Sequence, residues 1–492
     1  MKNALLIFAF LSFYLSSVHA SVEIRSNKLT TGDGLANNSI RYMFQDSKGF
    51  MWMGTVNGLS YYDGNSFVSI YPDPNLPVSL ADPRIRNMEE DSNGFLWIAT
   101  LSSLYSCYDL KHGRFVDFTG CGEYKQSYSK KIIASDQSVW LWDNNNGCRR
   151  VVYQDGQFSS QAYKKELGNL SSDEVLFVYE SNDSPGHVWI GTRQGLWKYH
   201  EGKLEAMDTQ GESWEHIFSY GQYTCIITGK KEIYRHSLSN NRLEKIASLT
   251  ELGDTGVITG SLRLQHQWVM FTATGSYILD PVTGKLRRFS RLNIKNGNVT
   301  RDNKGNAWVH NYTGNVWYVN TSTGDIKPFQ FLSSEHLGYI DVERYSIIHD
   351  SRDIIWITTY GNGLFAYDLN TGGLQHFTFE VSHSSHINSN YLQYIIEDRS
   401  GGIWVSSEFS GLSHLEILNK GTLRIYPNGE NASDRSNTIR MLLRGKNGNV
   451  FMANRMGTLY EYDAGLKNIL RKEKFTHNVY SMCEDNEGQL WL

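Results

Sequence analysis

Acidic residues that recur in one local pattern are the first candidates for chemistry in this chain. A D-x-x-G stretch that leads toward a large hydrophobic residue begins at Asp46, Asp91, Asp302, Asp398 and Asp485. A calcium loop would place several carboxylates at alternate positions, whereas Asp46-Ser47-Lys48-Gly49 supplies one carboxylate beside a lysine. We therefore interpret the stretch as a tight turn in which Asp accepts backbone N–H bonds and Gly takes a positive φ.

Other motifs of catalysis or cofactor binding do not occur in the sequence. Gly229-Lys230 lacks the Ser or Thr and the spaced glycine of a phosphate loop. There is no H-E-x-x-H, no G-x-S-x-G and no kinase signature. His383 and His386 are three residues apart on a polar connector, which is typical of a solvated loop. We predict no catalytic residue, no metal and no cofactor for the 492 residues given.

The turn belongs to a longer phrase, D-x-x-G-x-x-W-x-x-T-x-x-G-L, that returns along the chain. Its tryptophan position is occupied by Trp52, Trp97, Trp140, Trp189, Trp268, Trp308, Trp356, Trp404 and Trp491. Two oversized gaps contain weaker copies, with Cys225 and Phe451 at the same position. Eleven copies at this spacing indicate a repeat protein.

Each copy contains several short strand patterns separated by turn residues. In the fourth copy the strands are expected at residues 175–179, 187–192 and 196–199, and the second copy adds an outer strand at 114–118. Four short strands in roughly 40 to 50 residues are typical of a β-propeller blade. An isolated blade exposes both faces of its sheet, so the recurring aromatic residues are expected to pack between neighbouring blades.

The number of copies predicts an all-β chain with a seven-bladed β-propeller followed by the first blades of a second propeller. We place the first propeller at residues 21–335 and the start of the second at 336–492, because eleven blades exceed the usual number in one ring. Residues 22–29 are expected to form an orphan outer strand that closes a ring. Residues 326–330 compete for the outer place of the seventh blade. The sequence therefore does not decide which of the two rings residues 22–29 close. The sequence stops within a strand pattern at Trp491-Leu492, so we expect a longer protein.

Residues 1–20 are typical of a signal peptide. Lys2 precedes an apolar run at residues 4–15, and Val18-His19-Ala20 resembles a cleavage site. An uncleaved N-terminal anchor is the alternative. The net charge of -4 predicts no nucleic-acid partner. Five cysteines without a C-x-x-C predict no redox or metal motif, and Cys225 and Cys483 are expected to be buried.

The run "LTTGDGLANNSIRYMFQDSKGFMWMGTVNGLSYYDG", at residues 29–64, resembles the start of the two-component regulator propeller family. The resemblance implies the periplasmic sensor region of a Bacteroidetes-type hybrid two-component protein that detects glycan-derived oligosaccharides. It further implies a homodimer, anchored in the inner membrane by later segments, with a histidine kinase beyond residue 492. Two alternatives are a propeller-type lyase or sialidase and a sensor fused to a diguanylate cyclase.

Ligand-binding residues are expected in the turn between the second and third strands of each blade. This turn offers Asn57, Asn145, Arg193, Tyr312, Asn362, Phe409 and Arg455. Amides and arginine suit sugar hydroxyls or carboxylates, and aromatic rings suit pyranose faces. Ordinary turn chemistry is the alternative for each residue. Trp142 and Trp214 lie outside the repeat position, and Trp214 is expected either to line a channel mouth or to pack.

Overall fold

The structure is a computed structural model that describes residues 22–120, 127–181, 183–208, 211–302, 304–311, 316–329, 346–380, 386–418, 425, 427, 435–466 and 468–492. These ranges contain 42 β-strands and the short 3₁₀ helices Thr31–Asp33, Thr250–Leu252, Ser290–Leu292 and Arg435–Asn437. Within them, no helix is long and apolar enough to cross a membrane. The predicted signal peptide, residues 1–20, lies outside the described residues.

The strands form ten four-stranded antiparallel sheets and one two-stranded sheet, which we number along the chain. The first strand of the chain, β1 (Glu23–Leu29), belongs to the ninth sheet. The first sheet consists of β2 (Ile40–Gln45), β3 (Met51–Thr55), β4 (Leu59–Tyr62) and β5 (Phe67–Ile70). The second consists of β6 (Ile85–Glu90), β7 (Phe95–Thr100), β8 (Tyr105–Asp109) and β9 (Arg114–Val116). The third consists of β10 (Lys130–Ile133), β11 (Val139–Trp142), β12 (Cys148–Gln154) and β13 (Gln157–Tyr163). The fourth consists of β14 (Val175–Ser181), β15 (Ser184–Thr192), β16 (Gly195–His200) and β17 (Lys203–Asp208).

The next five sheets repeat this order. The fifth consists of β18 (Trp214–Tyr220), β19 (Tyr223–Thr228), β20 (Glu232–Ser237) and β21 (Arg242–Ser248). The sixth consists of β22 (Gly260–Leu264), β23 (Gln267–Phe271), β24 (Ser276–Leu279) and β25 (Leu286–Arg288). The seventh consists of β26 (Asn298–Arg301), β27 (Ala307–His310), β28 (Val316–Val319) and β29 (Ile326–Phe329). The eighth consists of β30 (Ile347–His349), β31 (Ile354–Thr358), β32 (Leu364–Asp368) and β33 (Leu374–Phe377). The ninth consists of β34 (Leu392–Glu397), β35 (Ile403–Ser407), β36 (Leu412–Leu418) and β1 at its outer edge.

The chain divides into two compact units, one ending at Ile417 and one beginning at Leu418. The second unit contains a tenth sheet of β37 (Ile439–Arg444), β38 (Val450–Asn454), β39 (Thr458–Tyr462) and β40 (Ile469–Lys474). It also contains the two-stranded sheet of β41 (Cys483–Glu484) and β42 (Leu490–Trp491). Its core includes Phe451, Leu459 and Met482.

The nine sheets of the first unit form a closed ring. A separate buried cluster fills each junction between consecutive sheets, and a further cluster joins the ninth sheet to the first. That last cluster packs Trp404 and Leu412 of the ninth sheet against Met43 and Met53 of the first. Burial of each large apolar side chain contributes about 1.5–3 kcal/mol, so the ring is held by its junctions.

The N-terminal strand closes this ring. Strand β1 pairs with β36, and Ile24 is buried in the cluster that joins the eighth and ninth sheets. Gly411 has a φ of 79°, and a Cβ there would lie 2.3 Å from the carbonyl oxygen of Leu29. The turn before β36 therefore requires glycine twice, for its backbone angle and for the approach of the closing strand.

The prediction of an all-β chain of four-stranded propeller blades is confirmed. The structure differs in the number of sheets before closure, which is nine where the sequence analysis expected seven. The reason is that β29 fills the outer place of the seventh sheet, which leaves the N-terminal strand for the ninth. The second compact unit correspondingly begins at Leu418. The boundary expected between residues 335 and 336 itself lies outside the described residues.

The recurring aspartate holds both its turn and its tryptophan. Asp91 Oδ1 accepts bonds from the backbone N–H groups of Asn93 (2.9 Å) and Phe95 (3.0 Å), and Oδ2 accepts one from the indole Nε1 of Trp97 (2.8 Å). The same three-bond clasp, in which one carboxylate binds a turn and a tryptophan, recurs at Asp46, Asp302, Asp350, Asp398 and Asp485. The D-x-x-G pattern does not include Asp350, because Asp353 with a φ of 65° replaces the turn glycine.

A second recurring contact joins neighbouring sheets at the clasp edge. Ser47 donates from its backbone N–H and its hydroxyl to the Glu90 carboxylate of the next sheet, at 2.6 and 2.5 Å. Equivalent bonds join Ser135 to Glu180 and Ser351 to Glu397. At the closing junction, the backbone N–H of Arg399 donates to Gln45 Oε1 at 2.9 Å. The closure thus uses a contact of the same kind as the other junctions.

Three cysteines are buried free thiols, namely Cys107, Cys148 and Cys225. The expected burial of Cys225 is confirmed, and burial raises the pKa of its thiol to about 12. Cys483 is exposed, which corrects the expectation, since its sheet consists of two short strands. Trp214 packs, because its indole is buried and donates to Asp208 Oδ2 at 3.1 Å.

Replacing Asp91 with Ala should lower the free energy of unfolding by roughly 2–4 kcal/mol, because two buried donors lose their acceptor. Denaturant unfolding measures this loss. Asp63→Ala is the matched control in the same unit, since Asp63 accepts two exposed backbone bonds and no indole bond. The control should cost less than about 1 kcal/mol. Equal losses for the two variants would contradict the role given to the clasp.

Acid should destabilise the first unit in part through His310. Its imidazole is 3% exposed, and burial lowers its pKa from 6.5 to about 4. Below pH 6.5 the unfolded chain binds a proton that the folded chain does not, so stability falls as pH drops from 6.5 to 4. The slope due to this group is up to about 1.4 kcal/mol per pH unit. In unfolding measured across this window, His310→Gln should have a shallower slope than the wild type, and an unchanged slope would contradict the assignment.

Candidate functional site

The turns between second and third strands all emerge at one edge of the ring, which we call the turn face. Because every sheet of the ring has the same strand order, equivalent turns lie on the same side. Five predicted residues lie on this face, namely Asn57, Asn145, Arg193, Asn362 and Phe409. Arg455 lies in the equivalent turn of the second unit, between β38 and β39. Tyr312 lies outside the described residues.

Asn362 and Phe409 are joined across the junction of the eighth and ninth sheets. Tyr391, on the connection into the ninth sheet, forms a β-bridge with Tyr360, two residues before Asn362. The carbonyl oxygen of Tyr391 also accepts a bond from the N–H of Glu408, the residue before Phe409, at 3.0 Å. Tyr391 therefore connects the two turns.

These turns present an aromatic platform, which we define as Tyr360, Tyr391 and Phe409. Phe409 is 70% exposed and Tyr391 is 48% exposed. The rings of Tyr360 and Tyr391 lie 5.1 Å apart between centroids, edge to face. Large aromatic side chains exposed together on a soluble protein indicate a binding surface. The repeat in the sequence predicts Phe409 but not Tyr391, which lies on a connection between blades.

Polar groups fix the platform and border it. Glu408 is 8% exposed and accepts a bond from Gln393 Nε2 at 2.7 Å. Asn388 Nδ2 donates to the carbonyl oxygens of Ser410 (2.8 Å) and Leu412 (2.7 Å). The turn that carries Phe409 is therefore held from both sides, and a buried carboxylate lies next to the exposed ring.

The other predicted residues in the ring have ordinary turn contacts. The Arg193 guanidinium donates to Glu174 at 2.8 Å, and both side chains are about half exposed. The backbone N–H of Asn145 donates to Asp143 Oδ1 at 2.7 Å, and that of Asn57 donates to Thr55 Oγ1 at 3.1 Å. These contacts stabilise the turns themselves.

The described residues offer no metal centre of three or more His, Cys, Asp or Glu side chains. In the histidine pair, His383 lies outside the described residues, and the His386 ring lies 5.8 Å from that of Phe377.

Comparison with known proteins gives one family match. The model described as "Two component regulator propeller" matches residues 34–57 and 79–102. These residues span the turns and strands around Trp52 and Trp97. No curated protein matches this chain.

Three solved structures illustrate the range of structural similarity. The extracellular domain of the hybrid two component system BT3049 from B. thetaiotaomicron is 16% identical, with a TM-score of 0.36, and the match covers 96% of this chain and 70% of that chain. The extracellular domain of the hybrid two component system BT4673 from the same organism is 17% identical, with a TM-score of 0.37 and coverage of 96% and 64%. The Dos1 propeller is 12% identical, with a TM-score of 0.45 and coverage of 80% and 94%.

The nine equivalent sheets, closed by the N-terminal strand, make the first unit a β-propeller. Within it, residues 34–57 and 79–102, around the first and second sheets, match the two component regulator propeller model.

Replacing Phe409 with Ala should weaken binding of a ligand to the turn face by about tenfold, because an exposed ring in a rigid turn loses its contact area. Leu369→Ala is the matched control, since Leu369 is exposed on the neighbouring eighth sheet, at the edge opposite to the turn face. Calorimetric titration measures both affinities. A tenfold loss in the control, or none in Phe409→Ala, would contradict the placement of the site.

Proposed function

We propose that this chain is the extracytoplasmic ligand-sensing region of a hybrid two-component sensor. In this proposal it detects oligosaccharides derived from glycans, and binding is signalled across the membrane to control transcription. The observation that carries the proposal is the aromatic platform, exposed on the turn face of a propeller in which residues 34–57 and 79–102 match the two component regulator propeller model.

The platform suits the two surfaces of a sugar ring. A pyranose has an apolar face of C–H groups and a rim of hydroxyls. An aromatic ring can pack against the face, and polar groups can form hydrogen bonds with the hydroxyls. Phe409 and Tyr391 supply exposed rings. Glu408 and Gln393 supply an acceptor and a donor beside them.

Rigidity of the platform favours recognition. The backbone N–H groups of Gly361 and Gly363 both donate to the carbonyl oxygen of Asn390, at 2.8 and 3.0 Å, which ties the turn of the eighth sheet to the connection that carries Tyr391. A site that is ordered before binding loses less conformational entropy when the ligand arrives.

The site favours binding over catalysis. Most glycoside hydrolases use two carboxylates roughly 5–9.5 Å apart around the scissile bond. The carboxylate that borders the platform is that of Glu408, whose Oε2 accepts a bond from Gln393. We therefore place a propeller-type lyase or sialidase second to a sensor that leaves its ligand unchanged.

The signalling part of the proposal draws on the similar proteins. Two of the solved structures are extracellular domains of hybrid two component systems. By analogy, the present residues face the periplasm, and the full-length protein continues past residue 492 to an inner-membrane anchor and a histidine kinase. Two chains pair as a homodimer, and the ligand acts by changing the populations of two dimer geometries. A diguanylate cyclase in place of the kinase would change the output and leave the binding site the same.

Calorimetry against a panel of neutral and acidic oligosaccharides, with chromatography of the same mixtures after long incubation, tests the proposal. We expect at least one oligosaccharide to bind and to be recovered unchanged. Its affinity should fall in Phe409→Ala and stay the same in Leu369→Ala. Recovery of cleaved products would overturn the sensor assignment, as would the absence of binding across the panel.

A further inference from the structure

A second cleft opens on the turn face between the second and third sheets. It has a volume of about 330 Å³, and its lining includes Arg86, Asn87, Glu89, Lys130, Lys131 and Trp142. In the strand register, Lys130 lies opposite Trp142 and Ile85 lies opposite Thr100. These pairs are at the ends of β7 and β11 that lead into the turns, so the cleft shares its side of the ring with the aromatic platform.

The 330 Å³ volume is that of the cleft between the second and third sheets. A separate cleft of about 410 Å³ lies around Arg263 and Arg301. Ligand sites commonly begin at about 300 Å³, so the cleft between the second and third sheets is large enough for one sugar ring. We call it the cationic cleft, for the charges that line it.

The cationic cleft carries more positive than negative charge. Lys131 forms an ion pair with Glu89, which leaves Arg86 and Lys130 without a carboxylate partner among the described residues. Lys130 Nζ donates to the carbonyl oxygen of Leu176 at 3.3 Å. Burial and the nearby Arg86 together lower the pKa of Lys130. An anion bound between two cations offsets their mutual repulsion, so this pair of charges favours anion binding.

A buried donor without a partner also lines the cleft. The Trp142 side chain is 6% exposed, and its indole Nε1 makes no hydrogen bond in the structure. A buried N–H without an acceptor costs roughly 1–3 kcal/mol. Trp142 therefore offers a bond that a ligand oxygen would complete.

We propose that the cationic cleft binds an oxyanion carried by a sugar, either the carboxylate of a uronic acid or a sulfate ester. Arg86 and Lys130 supply the charge, since guanidinium and ammonium groups form charge-assisted bonds with either oxyanion. The Trp142 indole N–H supplies a neutral donor, and its ring supplies a surface for the sugar. The inference rests on the proposed function and narrows its ligand class to acidic oligosaccharides.

Titrations of the chain with glucuronate, glucose 6-sulfate, inorganic sulfate and glucose test this inference. Lys130→Gln and Arg86→Gln should each weaken binding of glucuronate or glucose 6-sulfate by about tenfold, and added salt should weaken it in the wild type. Lys203→Gln is the matched control, an exposed lysine at the opposite edge of the fourth sheet. Comparison of the two acidic sugars shows which oxyanion the cleft prefers.

A thermal unfolding measurement separates ligand binding from a structural role. Lys130→Gln removes a repulsion, so the ligand-free variant should be as stable as the wild type or more stable. Unchanged affinity in both glutamine variants would overturn the inference, as would equal affinity for glucose or binding of inorganic sulfate alone. If a neutral oligosaccharide still binds and depends on Phe409, the proposed function survives that failure. Cleavage of a bound acidic oligosaccharide would instead overturn the sensor and leave the cleft assignment standing.

Discussion

The bond between an aspartate carboxylate and a tryptophan indole is the interaction on which the ring depends. One side chain closes the turn between the first two strands and fixes the large ring that fills the next junction. Asp46, Asp91, Asp302, Asp350 and Asp398 all do this within the first unit. Where the aspartate is replaced, the indole changes partner or loses one. Trp268 donates to the carbonyl oxygen of Ser219, and Trp140, six residues after Ala134, has no acceptor.

Closure of the ring follows from the equivalence of its junctions. The contact between Gln45 and Arg399 at the closing junction is of the same kind as the serine–glutamate contacts elsewhere. No junction is specialised to be the last, so the ring closes where a sheet lacks an outer strand from its own repeat. The ninth sheet meets this condition in the described residues, and β1 completes it.

This equivalence explains how far the sequence predicts the fold. The spacing of the tryptophans predicts the sheets, and the D-x-x-G pattern predicts the turn bonds, because both are local. The number of sheets in the ring depends on which distant strand β1 meets, and no local pattern encodes that pairing. The candidate site divides in the same way. Phe409 and Asn362 are predicted by the repeat, whereas Tyr391 and Arg86 lie at positions that the repeat pattern does not specify.

The two edges of the ring therefore have different chemistry. At the clasp edge, aspartates, serines and glutamates satisfy one another, so the polar groups that the repeat requires are already bonded. At the turn face, a single threonine hydroxyl often holds the turn, as Thr55 Oγ1 does by donating to the carbonyl oxygen of Gly58 at 2.6 Å. The remaining turn positions are then free to vary without loss of the fold. Exposed rings at Phe409 and Tyr391 are found at this edge, together with Arg86 and Lys130, which have no carboxylate partner among the described residues. This is the reason to place ligand binding there.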